Sequence, residues 1–230
     1  PKYLLGDFAF AIWDEKKQQM FCARDHIGIK PFYYHIDNEL FLFCNDIKGL
    51  IVYPGLSKSC NNEAVEIYLG VGELWHPTMT FFESIVKLPP ATSMMVTSKE
   101  VVSQTYWKAE DSPKINFDSL EEYSKRLREL LEDAVQVRLR TDYPVASHLS
   151  GGLDSSTIAV LAARSLQTKD NTLKVYNWVP SPGKEDDSEY YEWANSRRIA
   201  DFENIDHHHI ELDAKTLSDL FLNHDIFLKL

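Results

Sequence analysis

Val145-Ala146-Ser147-His148-Leu149-Ser150-Gly151-Gly152-Leu153-Asp154-Ser155-Ser156 runs from a short apolar stretch, through two adjacent glycines, into a segment with helical spacing. Residues 145–149 predict a strand and residues 155–166 a helix, so the glycines fall on a strand-to-helix turn. Adjacent glycines let the backbone turn tightly and bring amide N–H groups close to an anion, and the positive end of the helix dipole points at the same place. Such a loop suits a phosphate. Ser150, Ser155 and Ser156 can add hydroxyl donors, whereas Asp154 repels a bare phosphate and makes sense where it holds a Mg2+ that the phosphates share. The loop has no lysine, so it is not GxxxxGK[ST], and it is not GxGxxG either. A plain turn in which Asp154 or Ser155 caps the helix is the alternative these residues leave open.

Working outward from this loop, the chain from Phe117 onward alternates helix and strand. Leu120, Tyr123, Leu127, Leu130, Leu131, Ala134 and Val135 repeat at helical spacing behind Asp118-Ser119, a good N-terminal cap. Strands at 145–149, 173–179 and 205–212, each followed by a helix (155–166, 188–200 and one after 212), imply βαβ units and a parallel sheet. Residues 1–107 read differently. Strands at 8–13, 19–23, 32–36, 40–44, 93–97 and 101–106, with Asp37-Asn38 as a hairpin turn, suggest consecutive antiparallel pairing. Two helices interrupt them, one at 46–52 and one starting at Asn61 or Asn62. The polar stretch 108–116, with Asp111, Ser112 and Pro113, is the expected linker between domains at 1–107 and 117–230.

Composition removes several classes of function. With 24 Lys+Arg against 35 Asp+Glu the formal charge is −11, which argues against a broad nucleic-acid surface, since that needs clustered cations to displace phosphate counterions. No apolar run approaches the roughly 18 residues of a membrane span, and no signal peptide is evident, so a cytoplasmic protein is expected. Cys22, Cys44 and Cys60 show no CxxC spacing, and packed, reduced thiols are the expectation for all three. Pro1 stands where an initiator Met would, and the apolar pattern Leu217, Leu220, Phe221, Phe227, Leu228 and Leu230 runs to the last residue without a stop signal. A fragment of a longer chain is therefore expected.

In its strand–loop–helix context the SGGxDS string resembles the pyrophosphate loop of the ATP pyrophosphatase superfamily. Leu5-Gly6-Asp7-Phe8-Ala9-Phe10-Ala11-Ile12-Trp13-Asp14 and Ala23-Arg24-Asp25-His26-Ile27-Gly28-Ile29-Lys30-Pro31-Phe32-Tyr33-Tyr34 are similar to the LxGxFAFAIWD and RDxxGxKPLYY segments of glutamine-hydrolysing asparagine synthetases. Phe81-Phe82-Glu83-Ser84-Ile85-Val86-Lys87-Leu88-Pro89-Pro90-Ala91 resembles that family's segment before its last glutaminase strands, with Ala91 where the family usually has Gly. The resemblance implies an α/β chain of two parts. The first is the C-terminal part of an N-terminal-nucleophile glutaminase, an αββα sandwich. The second is the start of a Rossmann-like ATP pyrophosphatase domain.

It also implies an activity: ATP and Mg2+ are used to adenylylate aspartate, and ammonia from glutamine then displaces AMP. Aspartate, glutamine and ATP are the partners so implied, and a homodimer is compatible with it; neither nucleic acid nor membrane is. The implied nucleotide site comprises Leu149, Ser150, Gly151, Gly152, Leu153, Asp154, Ser155, Ser156 and Val179, with Asp154 on the metal. The glutaminase nucleophile, a cysteine at the mature N-terminus, is expected upstream of Pro1, so no catalytic residue is assigned within the chain. Trp178 and His148 differ from common members and, with the turn 180–183, resemble lasso-peptide cyclases, acyl-adenylate ligases that do not hydrolyse glutamine. A non-catalytic scaffold that retains the fold is the reading of a different class.

Other groups carry less. Arg24 and Asp25 are expected to form an internal ion pair that shapes the loop around Gly28. His207-His208-His209 lie in a strand, where at most two share a face, so no metal is assigned to them. Glu185, Asp186, Asp187 and Glu189 read as a solvated helix start capped by Asp187 or Ser188, and Tyr190, Tyr191 and Trp193 as packing aromatics.

Overall fold

A computed structural model describes residues 1–167, 171–177 and 188–210. The chain divides into two compact units, Pro1–Ile115 and Asn116–Leu230.

The first unit contains β1 (Ala9–Asp14), β2 (Gln19–Arg24), β3 (Tyr33–Ile36), β4 (Phe41–Cys44), α1 (Ile47–Ile51), α2 (Asn62–Val71), β5 (Val86–Lys87), β6 (Thr92–Thr97) and β7 (Val101–Thr105). All pairings in this unit are antiparallel and build two sheets, β1-β2-β6-β7 and β4-β3-β5. Period-two alternation decides the faces of β1, β2, β3 and β6. Ala11, Met20, Cys22, Met94 and Val96 of the first sheet share one apolar core with Tyr34, Ile36 and Phe41 of the second. Tyr33, Leu42 and Cys44 on the opposite face of the second sheet pack with Leu50 and Ile47 of α1.

The helix caps follow the chemistry of the sequence. Asp46 accepts the Lys48 N–H, and Asn61 rather than Asn62 caps α2 by accepting from Ala64 N at 3.2 Å. α2 ends at Gly72, whose φ of +86° closes the helix in the left-handed region. Two elements were not expected: the two-residue strand β5, too short to show a period, and a single 3-10 turn at Ala109–Asp111 inside the polar stretch 108–116.

Arg24 and Asp25 act differently from the ion pair expected of them. Arg24 spends its guanidinium on three backbone carbonyls, those of Lys30 (2.8 Å), Leu88 (2.6 Å) and Gly28 (2.6 Å). Buried Asp25 accepts the N–H groups of Ile29 and Lys30 at 2.9 Å each. The two side chains therefore clamp the loop 25–30 from opposite polarities, and each satisfies backbone groups that the turn leaves open. Burial alone would raise the Asp25 pKa, but the N–H groups of Lys30, Ile29, Gly28 and Ile27 together outweigh it and hold the carboxyl below its ordinary value.

The second unit opens with α3 (Leu120–Arg138), capped by Ser119 Oγ, which accepts from Glu122 N, while the Glu122 carboxylate accepts from Asp118 N at 3.0 Å. Then come β8 (Ala146–His148), α4 (Leu153–Gln167), β9 (Lys174–Asn177), α5 (Ser188–Phe202) and β10 (Asp206–His209). The strands are parallel in the order β10-β9-β8, as two successive βαβ steps require. Leu149, Leu173, Val175 and Ile205 from the sheet region meet Ala159, Ala162, Ala163 and Leu166 of α4 and Ala200 of α5 in one core. Small alanines on the helix faces let the helices sit close to the sheet.

Helix α4 begins at Leu153, two residues before its expected start. Gly152 supplies the carbonyl for Ser156 N at 3.1 Å, so Asp154 and Ser155 lie inside the first turn and neither is the cap. The ends of the expected strands 173–179 and 205–212, the helix after 212 and the acidic stretch 185–187 fall outside the described residues.

Two consequences concern the first unit. Gly28 has φ +72°, and a Cβ there would lie 2.8 Å from Pro90 Cγ and 3.1 Å from Arg24 Cζ. Gly28→Ala should destabilise the protein by about 1–3 kcal/mol in denaturant unfolding, from left-handed strain and the broken clamp. For Asp25 the folded pKa lies below the ordinary 3.8, so its stabilisation is complete above that value and is lost as pH falls through the folded pKa. Acid unfolding of Asp25→Asn should lose part of the pH dependence that the parent shows below about pH 4; identical slopes would remove Asp25 from this role.

Candidate functional site

The carboxyl end of the parallel sheet is where open α/β sheets bind ligands, and here the loop 149–156 leaves β8. Leu149 is fully buried, and its N–H donates to Tyr176 O at 3.1 Å. Gly151 follows at φ +88°, and a Cβ on it would meet the backbone of α5 at Glu192 O, and at Ser196 N at 3.0 Å. The first glycine of the pair is thus required twice, by its dihedral and by the helix lying against it. Gly152 has open space in which a Cβ would meet nothing closer than Ser150 Oγ at 3.5 Å.

The serines divide into two kinds. Ser150 Oγ and Ser155 Oγ hydrogen-bond each other at 2.9 Å. Ser155 Oγ also accepts from Ser150 N, and Ser150 Oγ from Gly152 N. These two hydroxyls staple the loop to itself. Ser156 Oγ is shielded from solvent and has no partner among the described residues. The N–H groups of Gly151, Leu153, Asp154 and Ser155 have no partner among the described residues either. A turn of open amides around an orphaned hydroxyl at a helix N-terminus fits the oxygens of a polyphosphate, which would satisfy them together. Asp154, exposed in the first turn of α4, presents one carboxylate beside those amides. No cluster of three His, Cys, Asp or Glu side chains that could hold a metal exists among the described residues. Val179 and Trp178 lie outside the described residues.

Behind the loop is a buried polar group that pattern reading missed. Asn177 Nδ2 donates to Leu149 O at 2.9 Å and to Ser196 Oγ at 2.7 Å, and Ser196 Oγ donates to Trp193 O at 2.8 Å. His207 Nε2 lies 3.3 Å from Ser196 Oγ. Burial, then Arg197 and His209 nearby, lower the His207 pKa. The only trace in the sequence is an Asn where the apolar strand 173–179 should carry a core residue. His208 instead stacks on Tyr176, with ring centroids 5.1 Å apart, so adjacent histidines of β10 do point to different faces.

The cysteines are not all packed thiols. Cys22 is fully buried, and burial pushes its thiol up to about 12, which leaves it unreactive. Cys44 is half-buried. Cys60 is exposed, because it sits in an isolated bridge to Phe82 just before α2 rather than within a sheet. No helix among the described residues is long and apolar enough to cross a membrane. Gly151→Ala should cost about 2 kcal/mol or more in thermal unfolding, since relief requires moving backbone of α5 rather than a side chain; a substitution within a few tenths of the parent would show that α5 does not press on the loop.

Comparison with known proteins matches both units. A glutamine amidotransferase domain family covers residues 2–107, and the asparagine synthase family covers residues 126–225. Glutamine-hydrolysing asparagine synthetase 3 of Bacillus subtilis is 35% identical over 161 residues, which is 70% of this chain and 26% of that protein. A putative glutamine-hydrolysing asparagine synthetase of Methanocaldococcus jannaschii is 32% identical over 221 residues, 94% of this chain and 40% of that protein. An amidase of Gibberella zeae is 32% identical over 229 residues, 95% of this chain and 33% of that protein. The chain spans less than half the length of each of these relatives. With an antiparallel two-sheet unit ahead of a parallel βαβ unit, and a family match on each, the chain belongs to the glutamine-hydrolysing asparagine synthetase family.

Proposed function

We propose that this chain is part of a cytoplasmic, ATP-dependent asparagine synthetase, with a glutaminase portion at 1–107, a linker at 108–116 and a synthetase portion at 117–230. The observation that carries the nucleotide assignment is the set of N–H groups at Gly151, Leu153, Asp154 and Ser155 that, with Ser156 Oγ, have no partner among the described residues. On this reading Leu149 and Val179 flank the base, residues 150–156 cradle the phosphates, and Asp154 holds Mg2+. The metal would neutralise charge on the phosphates as pyrophosphate departs.

The two half-reactions balance without a redox partner. The β-carboxylate of aspartate attacks the α-phosphorus of ATP, and the bond from that phosphorus to its bridging oxygen breaks, releasing pyrophosphate. Ammonia released from glutamine then attacks the activated carbonyl, AMP leaves with the C–O electron pair, and a proton passes to solvent. The amides of the loop hold the phosphates in line, and the stapled hydroxyls of Ser150 and Ser155 keep those amides in place. No cysteine of this chain is assigned as the glutaminase nucleophile. Buried Cys22 is no substitute for it.

In a second reading, suggested by the sequence at His148, Trp178 and 180–183, the same adenylylation serves a different carboxylate. Both are tested in the full-length protein by exchange of labelled pyrophosphate into ATP. Aspartate-dependent exchange is expected, and Asp154→Asn should reduce it about a hundredfold or more. Undiminished exchange in that variant would remove the metal assignment, exchange with another carboxylate alone would install the second reading, and none with any carboxylate would favour a scaffold.

A further inference from the structure

Asn177 and Ser196 are fully buried polar side chains, one at the end of β9 and one in α5. Their hydrogen-bonding capacity can be counted. Both amide hydrogens of Asn177 are used, one on Leu149 O at 2.9 Å and one on Ser196 Oγ at 2.7 Å. The single hydroxyl hydrogen of Ser196 goes to Trp193 O at 2.8 Å. The same hydroxyl oxygen accepts from Asn177 Nδ2 and lies 3.3 Å from His207 Nε2.

A purely packing role does not explain this choice of residues. An apolar pair would fill the same space without the desolvation penalty of two buried polar groups. What the polar pair adds is a grip on one carbonyl. Leu149 donates its N–H to Tyr176 O through the sheet, and the Asn177 side chain takes its C=O, so both backbone groups of the residue before the loop are held. Two residues later Gly151 lies against Ser196 N, and so the residue whose hydroxyl anchors Asn177 also has its backbone against the loop.

We propose that Asn177 and Ser196 are positioning residues that lock the nucleotide loop to α5 and set the orientation of its open amides. This rests on the nucleotide reading of the loop. Their effect reaches ATP only through Leu149 and Gly151, so their loss weakens the hold on phosphate before it alters chemistry.

The test uses the full-length protein, with KM for Mg·ATP, kcat and thermal midpoint measured for the parent and three variants. Ser196→Ala removes one oxygen and should raise KM for ATP roughly three- to tenfold with kcat within about twofold, the scale of one lost buried hydrogen bond. Asn177→Asp keeps the shape but sets a carboxylate against Leu149 O, and should raise KM about ten- to a hundredfold. Leu166→Val, in the same core at the far end of α4, should lower the thermal midpoint and leave KM alone. Should Asn177→Asp not fold, Ser196→Ala decides. KM unchanged in a folded Ser196→Ala, whatever its thermal midpoint, would overturn the positioning role while leaving the nucleotide reading intact. A parent that shows no affinity for Mg·ATP would overturn that reading, and the proposal with it.

Discussion

The backbone of α5 lies against Gly151, and no side chain fits between them. From that contact the form of the loop follows. A residue at φ +88° with a helix against its α-carbon turns the chain sharply away from β8, and the next residues are delivered into α4 with their N–H groups outward. The turn would leave those groups unsatisfied in a closed interior; at the edge of a sheet they are available to an anion. Ser150 and Ser155 then spend their hydroxyls on keeping this arrangement closed. The hydroxyl of Ser156 has no partner among the described residues. The division of labour among these three serines is set by where each falls, Ser150 at the start of the glycine turn and Ser155 and Ser156 in the first turn of α4.

The first unit solves a related problem with charge instead of close contact. Its loop 25–30 must reverse direction at Gly28, again in the left-handed region. Arg24 supplies donors to three carbonyls, and Asp25 accepts two N–H groups, so a buried carboxylate and a half-buried guanidinium are each satisfied by backbone. Because Arg24 also reaches Leu88 O, the clamp ties the loop to the segment that enters β6. Tyr106 completes it by donating to Arg24 O at 2.6 Å. A motif that looks catalytic by composition is thus a device for holding a turn.

Much of this was legible before any coordinates. Strands β1, β2, β3 and β6 were readable because alternate residues of each face one core, which imposes period two, and the helices α2 and α3 because caps and apolar spacing agree. β5 escaped because two residues have no period. The start of α4 was misplaced because the eye takes Ser155 as a cap, whereas Gly152 O does that work once the glycine turn is formed. The exposure of Cys60 was hidden because a cysteine gives no sign of which side of a bridge it occupies.

The sequence by itself determined the order of elements, the antiparallel-then-parallel change near residue 116 and the phosphate-suited loop, since these depend on local dihedral preference and short-range periodicity. Only the tertiary structure decided which loop hydroxyls are free, that Arg24 and Asp25 bind backbone instead of each other, and that Asn177 reaches Leu149 O and Ser196. The bonds from Arg24 to Leu88 O and from Asn177 to Leu149 O and Ser196 join residues 19 to 64 positions apart. A hydrogen bond between distant segments depends on how the packed core brings them together, and neither partner's neighbours in the chain record that distance.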